Sequence, residues 1–255
     1  MQSLFHVSHK HVSKTYSARD GEWHGTMIEE GPKLSGAKGP SKRIDLFGRY
    51  DAVCNSFQLR ARQTLNCSGK PRPSLCLART GLLIRRTQMP DRRAPVSSVF
   101  YPGDLFTMPQ IDHANISAVV PSQVSWIDHK TVDSADINDL IAALASQCER
   151  QLLHANVVSL LSPIEKVASF LIEYASRLGT PAKDSIVFDL VLSRLEIADY
   201  LILNGDTVSR VMARMKADGV LRRLTGKRVL VPDRAKLYAL TPLAQELSQA
   251  LSEVS

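Results

Sequence analysis

Asp206, Ser209 and Arg210 are spaced so that a carboxylate, a hydroxyl and a guanidinium share one face of a helix. Arg214 continues that face by one turn. The three groups are a hydrogen-bonding set. The guanidinium is a planar fork of donors, the ionised carboxylate only accepts, and the hydroxyl does both. Such a set can read a surface that displays donors and acceptors in a fixed order. Val208, Val211, Met212 and Met215 interleave with it as an apolar stripe, so the other side of the same helix is built for a core.

Two neighbouring segments must hold that helix in place. Ser193 to Leu201 reads as a short helix, with Ser193 as N-cap and Glu196 three residues on as its capping-box partner. Ile197, Ala198 and Leu201 face inward, and the small Ala198 lets a second helix approach closely. Ile202 to Gly205 is a tight connection in which Asn204 and Gly205 are good turn formers. The second helix runs from about Gly205 or Asp206 to Asp218, and Gly219 closes it. Two short helices, a tight turn and a polar outer face at the start of the second describe a helix-turn-helix, which presents that start to base edges in a DNA major groove. Val220 to Leu224 and Arg228 to Val231 read as a hairpin turning at Thr225-Gly226-Lys227, a wing. Arg214, Arg222, Lys227 and Arg228 are the candidate phosphate contacts, which position a protein on DNA and add salt-dependent affinity. Asp206 has two open readings. It accepts from a base amino group, or it is simply an acid stabilised at a helix N-terminus.

Upstream, a strand is expected over Ile186–Leu190. A helix is expected from Pro163, with Ser162 as N-cap, to a C-terminus at Gly179. A long helix precedes it from about Ser134, capped by Asp136 or Ser134. Ile137, Ile141, Leu144, Cys148, Ala155 and Val158 form one seam along it, interrupted by Gln151. The seam fits either packing on its own domain or a parallel dimer interface. Between residues 64 and 130, short apolar runs alternate with turn residues, as in a small antiparallel barrel or jelly roll. Arg85-Arg86 and Arg92-Arg93 flank one hairpin there and are expected to be solvated edge charges. The fold class is therefore α+β. The expected divisions are a disordered extension at 1–44, a β-roll at 45–133, the long helix at 134–161 and a winged helix-turn-helix at 162–255.

A net charge of +7 over 255 residues favours an anionic partner. Cys54, Cys67, Cys76 and Cys148 are too scattered for a disulfide scaffold or a zinc site, which suits a reducing cytoplasm. No run approaches the roughly 18 apolar residues of a membrane span, so the protein is expected to be soluble and cytoplasmic. His6, His9 and His11 read as exposed tail. A metal enzyme on the roll would need clustered histidines with a carboxylate, whereas His113 and His129 lie apart, so no catalytic role is expected.

The stretch Leu192 to Leu201, with Asp206-Thr207-Val208-Ser209-Arg210 and Lys216 to Leu221, resembles the bacterial Crp/Fnr transcription regulators, nearest their Fnr and FixK branch. Gly81-Leu82-Leu83 and Phe100 to Phe106 resemble the family's β-roll, and the likeness covers roughly residues 64 to 240. It implies a double-stranded β-helix sensor of the cyclic-nucleotide-binding type, a dimerisation helix and a DNA-binding domain. It further implies a homodimer on palindromic half-sites like TTGAT or TTGAC, with RNA polymerase as protein partner. In that branch the recognition helix reads Glu-x-x-Ser-Arg. Arg210 then contacts guanine O6 and N7 and Ser209 an adjacent base, while Asp206 replaces the glutamate with a shorter acid. The implied dimer interface is Ile137, Ile141, Leu144, Cys148 and Ala155. Cys148 is either a small hydrophobe in that seam or one half of a disulfide across the two-fold. Cyclic-nucleotide-binding members carry an Arg-Ser/Thr pair after the Pro-Gly-Asp turn, but Ile111 to Pro121 contains no arginine, so no cyclic AMP is expected. Cys54, Cys67 and Cys76 are too far apart for the family's iron–sulfur cluster. No cofactor is predicted, and haem stays open because a histidine ligand leaves almost no sequence trace. The alternative reading is a ligand-binding or protein-interaction module whose helix-turn-helix no longer reads DNA.

Overall fold

A computed structural model describes residues 15–19, 22–25, 55–65, 75–108, 114–127, 133 and 136–252. Among them, ten strands precede the first helix. They are β1 (Thr15–Arg19), β2 (Glu22–Gly25), β3 (Asn55–Leu59), β4 (Thr64–Leu65), β5 (Leu75–Thr80), β6 (Leu83–Thr87), β7 (Val96–Phe100), β8 (Leu105–Phe106), β9 (Ala114–Ala118) and β10 (Ser122–Ile127). They form one sheet in the order β2-β1-β3-β10-β5-β8 and another in the order β4-β9-β6-β7. Alternating side chains from both sheets, among them Phe57, Cys76, Leu83, Phe100, Phe106, Ile116 and Val124, fill the space between them. Gly81 turns β5 into β6 at φ +83. A Cβ there would lie 2.1 Å from Ser122 Oγ, so both the dihedral and the space demand glycine.

Part of the expected disordered extension is ordered. β1 runs parallel to β3, and β2 pairs antiparallel with β1. Thr15, Tyr16 and Trp23 belong to strand-favouring types, and β1 occupies the edge of β3 not taken by β10. His6, His9 and His11 lie outside the described residues, as do Cys54, Cys67, His113 and His129.

Helix α1 spans Ile137–Leu160 and α2 spans Pro163–Leu178. Glu165 accepts a 2.7 Å hydrogen bond from the Ser162 amide, and Pro163 opens α2, as the sequence implied. Gly179 ends α2 with an extended φ of −85, not the left-handed geometry that usually calls for glycine. Space explains it instead, because a Cβ would sit 2.4 Å from the Ala175 carbonyl oxygen and 2.7 Å from Ile186.

The remainder holds β11 (Thr180–Ala182), β12 (Ser185–Asp189), α3 (Arg194–Leu201), α4 (Gly205–Ala217), β13 (Arg222–Arg223), β14 (Arg228–Val231), α5 (Arg234–Tyr238) and α6 (Ala244–Ser252). Its sheet order is β11-β12-β14-β13. Val167, Leu171, Phe188, Ile197, Leu201, Val208 and Met215 form its core, which is continuous with Leu82, Ile84, Val99 and Tyr101 of the roll.

Two groups of ion pairs fix that junction. Asp104, in the turn after β7, accepts from the Tyr101 amide at 2.8 Å and pairs with Arg150 of α1 at 3.3 Å and with Arg177 of α2. Arg86 of β6 pairs with Glu196 of α3 at 3.1 Å and with Asp199 at 3.5 Å. Arg85 donates to the Thr107 carbonyl at 2.7 Å and lies over the Phe100 ring. The expectation of solvated edge charges therefore fails for both residues. Their hairpin packs on α3, and partners 22 and 110 positions away leave no local mark on the sequence. Arg93 pairs with Asp91 at 2.6 Å on the surface, closer to the solvated reading.

Among the described residues, no helix is long and apolar enough to cross a membrane. No group of three metal-ligating side chains occurs among them either.

Candidate nucleic-acid interface

Local chemistry sets the first helix of the motif. The Ser193 hydroxyl accepts from the Glu196 amide at 3.2 Å, and the Glu196 carboxylate accepts from the Ser193 amide at 2.8 Å. Glu196 thus caps α3 with one oxygen and holds Arg86 of the roll with the other. Ile197, Ala198 and Leu201 are buried, and α4 packs against that face.

Chain reversal then takes three residues. Ile202 adopts φ +53 and ψ +52, and the Leu203 amide bonds the Ala198 carbonyl at 2.9 Å. The Asn204 side chain accepts from the Asp206 amide at 2.8 Å and caps α4. Val208, Met212 and Met215 are almost wholly buried, which fixes the rotation of α4 about its axis. Asp206, Ser209 and Arg210 consequently stand together on its exposed face, near its N-terminus. Arg210 makes one weak contact, to the Thr207 hydroxyl at 3.4 Å, and its guanidinium otherwise faces outward.

Gly219 at φ +71 ends α4 and sends the chain into the wing. There Arg222 pairs with Leu230 and Arg223 with Val229 in register. The wing turn is braced by Arg223, which donates twice to the Gly226 carbonyl, at 2.9 and 3.0 Å. The four candidate phosphate contacts are all exposed. Arg222 and Lys227 project from the wing, Arg214 lies 3.6 Å from Asp218, and Arg228 lies 3.4 Å from Asp189. Exposed pairs of this kind are weak, so a phosphate can displace them.

The seam on α1 is exposed in the single chain. Ile141 is 58% exposed, and Ile137, Leu144, Cys148 and Ala155 are exposed with it. Those five residues of the stripe do not pack on their own domain, Val158 at its end is half-buried, and Cys148 is not buried within the chain. Leu152, 67% exposed, supplies beside Gln151 the apolar side chain that the seam lacked there. The opposite face of α1 carries Val157, Arg150 and His154, whose ring stacks on Tyr200 with centroids 4.0 Å apart.

Residues 165–240 match the Crp-like helix-turn-helix domain. A probable transcriptional activator of Rhizobium leguminosarum bv. viciae is 31% identical over 157 residues, 58% of this chain and 65% of that protein. The nitrogen fixation regulation protein FixK of Azorhizobium caulinodans is 28% identical over 161 residues, 60% of this chain and 65% of that protein. Over residues 165–240 the chain carries a helix-turn-helix domain of the Crp-like type. In fold, the chain is similar to the solved structure of FixK2 from Bradyrhizobium japonicum, with a TM-score of 0.64 at 22% identity, covering 74% of this chain and 98% of that one. The matches to the two sequence relatives span just under two thirds of their length. The Crp/Fnr likeness accounts for the succession of β-roll, long helix and winged helix-turn-helix.

Proposed function

We propose that the protein is a sequence-specific transcription regulator that binds a two-fold-symmetric DNA site as a homodimer, with RNA polymerase as its protein partner. The observation that carries the reading is the orientation of α4. Burial of Val208, Met212 and Met215 leaves Asp206, Ser209 and Arg210 outward at the end of the helix that such motifs place in the major groove. Arg210 is the guanine reader, Ser209 contacts the adjacent base, and Asp206 supplies a carboxylate acceptor beside them. Arg214, Arg222, Lys227 and Arg228 take phosphates.

The exposed stripe on α1 supports the two-fold arrangement, because a parallel partner helix would cover Ile137, Ile141, Leu144, Cys148 and Ala155. Ile111 to Pro121 offers no arginine to offset a cyclic phosphate, and the reading includes no cyclic nucleotide and no resident cofactor.

The test is Arg210→Ala, measured against an intact half-site and one with its guanine replaced. Loss of about 1–3 kcal/mol of binding on the intact site, and indifference to the replacement, is expected. Unchanged affinity with unchanged preference would refute the assignment.

A further inference from the structure

Ile202 occupies the left-handed region at φ +53, a conformation that a β-branched residue adopts only at a cost. Packing within the chain does not repay that cost, because Ile202 is 71% exposed. Leu195, seven residues earlier on α3, is 70% exposed. Its Cδ2 lies so near Gly205 that a Cβ there would sit only 3.0 Å away. Leu195 thus stands beside the first turn of α4, and Ile202 stands two residues before the N-cap of that helix. Single exposed apolar residues are ordinary on protein surfaces. A strained, exposed and β-branched one beside the reading residues is not, and such outliers concentrate where a contact forms on binding.

We infer that Ile202 and Leu195 form an apolar bracket that closes on the deoxyribose faces of the DNA backbone at the edge of the groove that α4 enters. The inference rests on the DNA-reading assignment above. When the N-terminal turn of α4 lies in a major groove, whatever flanks that turn lies over the groove's rim, where the backbone presents sugar C–H surfaces between phosphates. A contact of this kind is independent of base identity and releases no counterions. It therefore adds affinity without adding salt dependence, unlike the contacts of Arg222 or Lys227.

The experiment uses the full chain and a duplex carrying the selected palindrome, titrated at several salt concentrations, for wild type, Ile202→Gly, Ile202→Asn, Leu195→Ala and Arg210→Ala. Glycine and asparagine tolerate the left-handed region, so both Ile202 variants should melt no lower than wild type, and the glycine variant roughly 2–5 °C higher. Each should nonetheless bind DNA roughly tenfold more weakly, at an unchanged salt slope and for all sequences alike. Leu195→Ala should weaken binding in the same way.

Wild-type affinity in the Ile202 variants would overturn the bracket. So would a lower melting temperature, which would make Ile202 a packing residue. A changed dimer dissociation constant with unchanged DNA binding would assign Ile202 and Leu195 to contact between chains and overturn the bracket as well. The Arg210→Ala arm separates the two assignments. If that variant loses base preference while Ile202→Gly binds normally, only the bracket fails. If Arg210→Ala also binds normally, the reading beneath it fails.

Discussion

Asp206 holds a position where two physical effects coincide. A carboxylate in the first turn of α4 is favoured by the helix dipole, and the same carboxylate stands beside Ser209 and Arg210 on the outward face. The effects separate under mutation. Asp206→Ala should lose roughly 0.3–1 kcal/mol of folding stability through the dipole alone. If the carboxylate also reads a base, the variant loses discrimination at one position of each half-site by about 1–3 kcal/mol, and Asp206→Glu restores discrimination there. Selection of bound sequences by the three proteins checks this. We expect the preference at that one position to relax. An identical selected site for Asp206→Ala would leave the residue as a helix-end acid only.

The helix-turn-helix was legible because its determinants are local. Ser193 and Glu196 close their capping box over three residues, Asn204 caps α4 over two, and the stripe of Val208, Met212 and Met215 repeats at helical spacing. The capped start of α2 was legible for the same reason. What escaped depends on distance or space. Arg86 finds Glu196 only because a roll hairpin docks on α3, and Gly179 is required by Ile186 arriving from another strand. The strain at Ile202 left no trace in a sequence that reads simply as a turn. The seam of α1 lay between these cases. Its spacing was visible, but whether it faced its own domain or a partner was not. Exposure of Ile141 and Leu152 now favours the partner. Ile141→Glu would bury a charge in a partner-covered seam, and the dimer dissociation constant should rise by roughly a hundredfold or more. Light scattering would show monomer at concentrations where the wild type is dimeric. A wild-type mass for the variant would move the two-fold axis away from α1.

Across the whole molecule, the roll, the long helix and the winged helix-turn-helix domain meet at one buried ionic cluster. Asp104 comes from the roll, Arg150 from α1 and Arg177 from α2, and all three side chains are at most 12% exposed. Removing one member of such a group strands the others, so the cluster fixes how the domains are joined more than it adds net stability. Glu173 of α2 lies within the field of the same charges. Burial pushes its carboxyl up to about 7, with Asp104 adding to the rise and Arg177 and Arg150 opposing it. The sign of the pH effect follows from proton counts. Between the unperturbed value near 4.5 and about 7, the folded protein holds a proton on Glu173 that the unfolded chain has released. Stability contributed at low pH is therefore lost as pH rises through 7. His154 on α1 works in the opposite direction. Burial lowers it to about 4, so its contribution is lost as pH falls below 6.5. Glu173→Gln removes the first effect and leaves the second. Relative to wild type, the variant should gain little at pH 5 and on the order of 2 kcal/mol at pH 8. Its stability should stay level from pH 6.5 to 8, where the wild type declines. Thermal melts of both proteins across that range decide the matter. A gain of equal size at pH 5 and pH 8 would mean that Glu173 does not titrate within the junction, and that Asp104, Arg150 and Arg177 hold the domains together without a proton-dependent member.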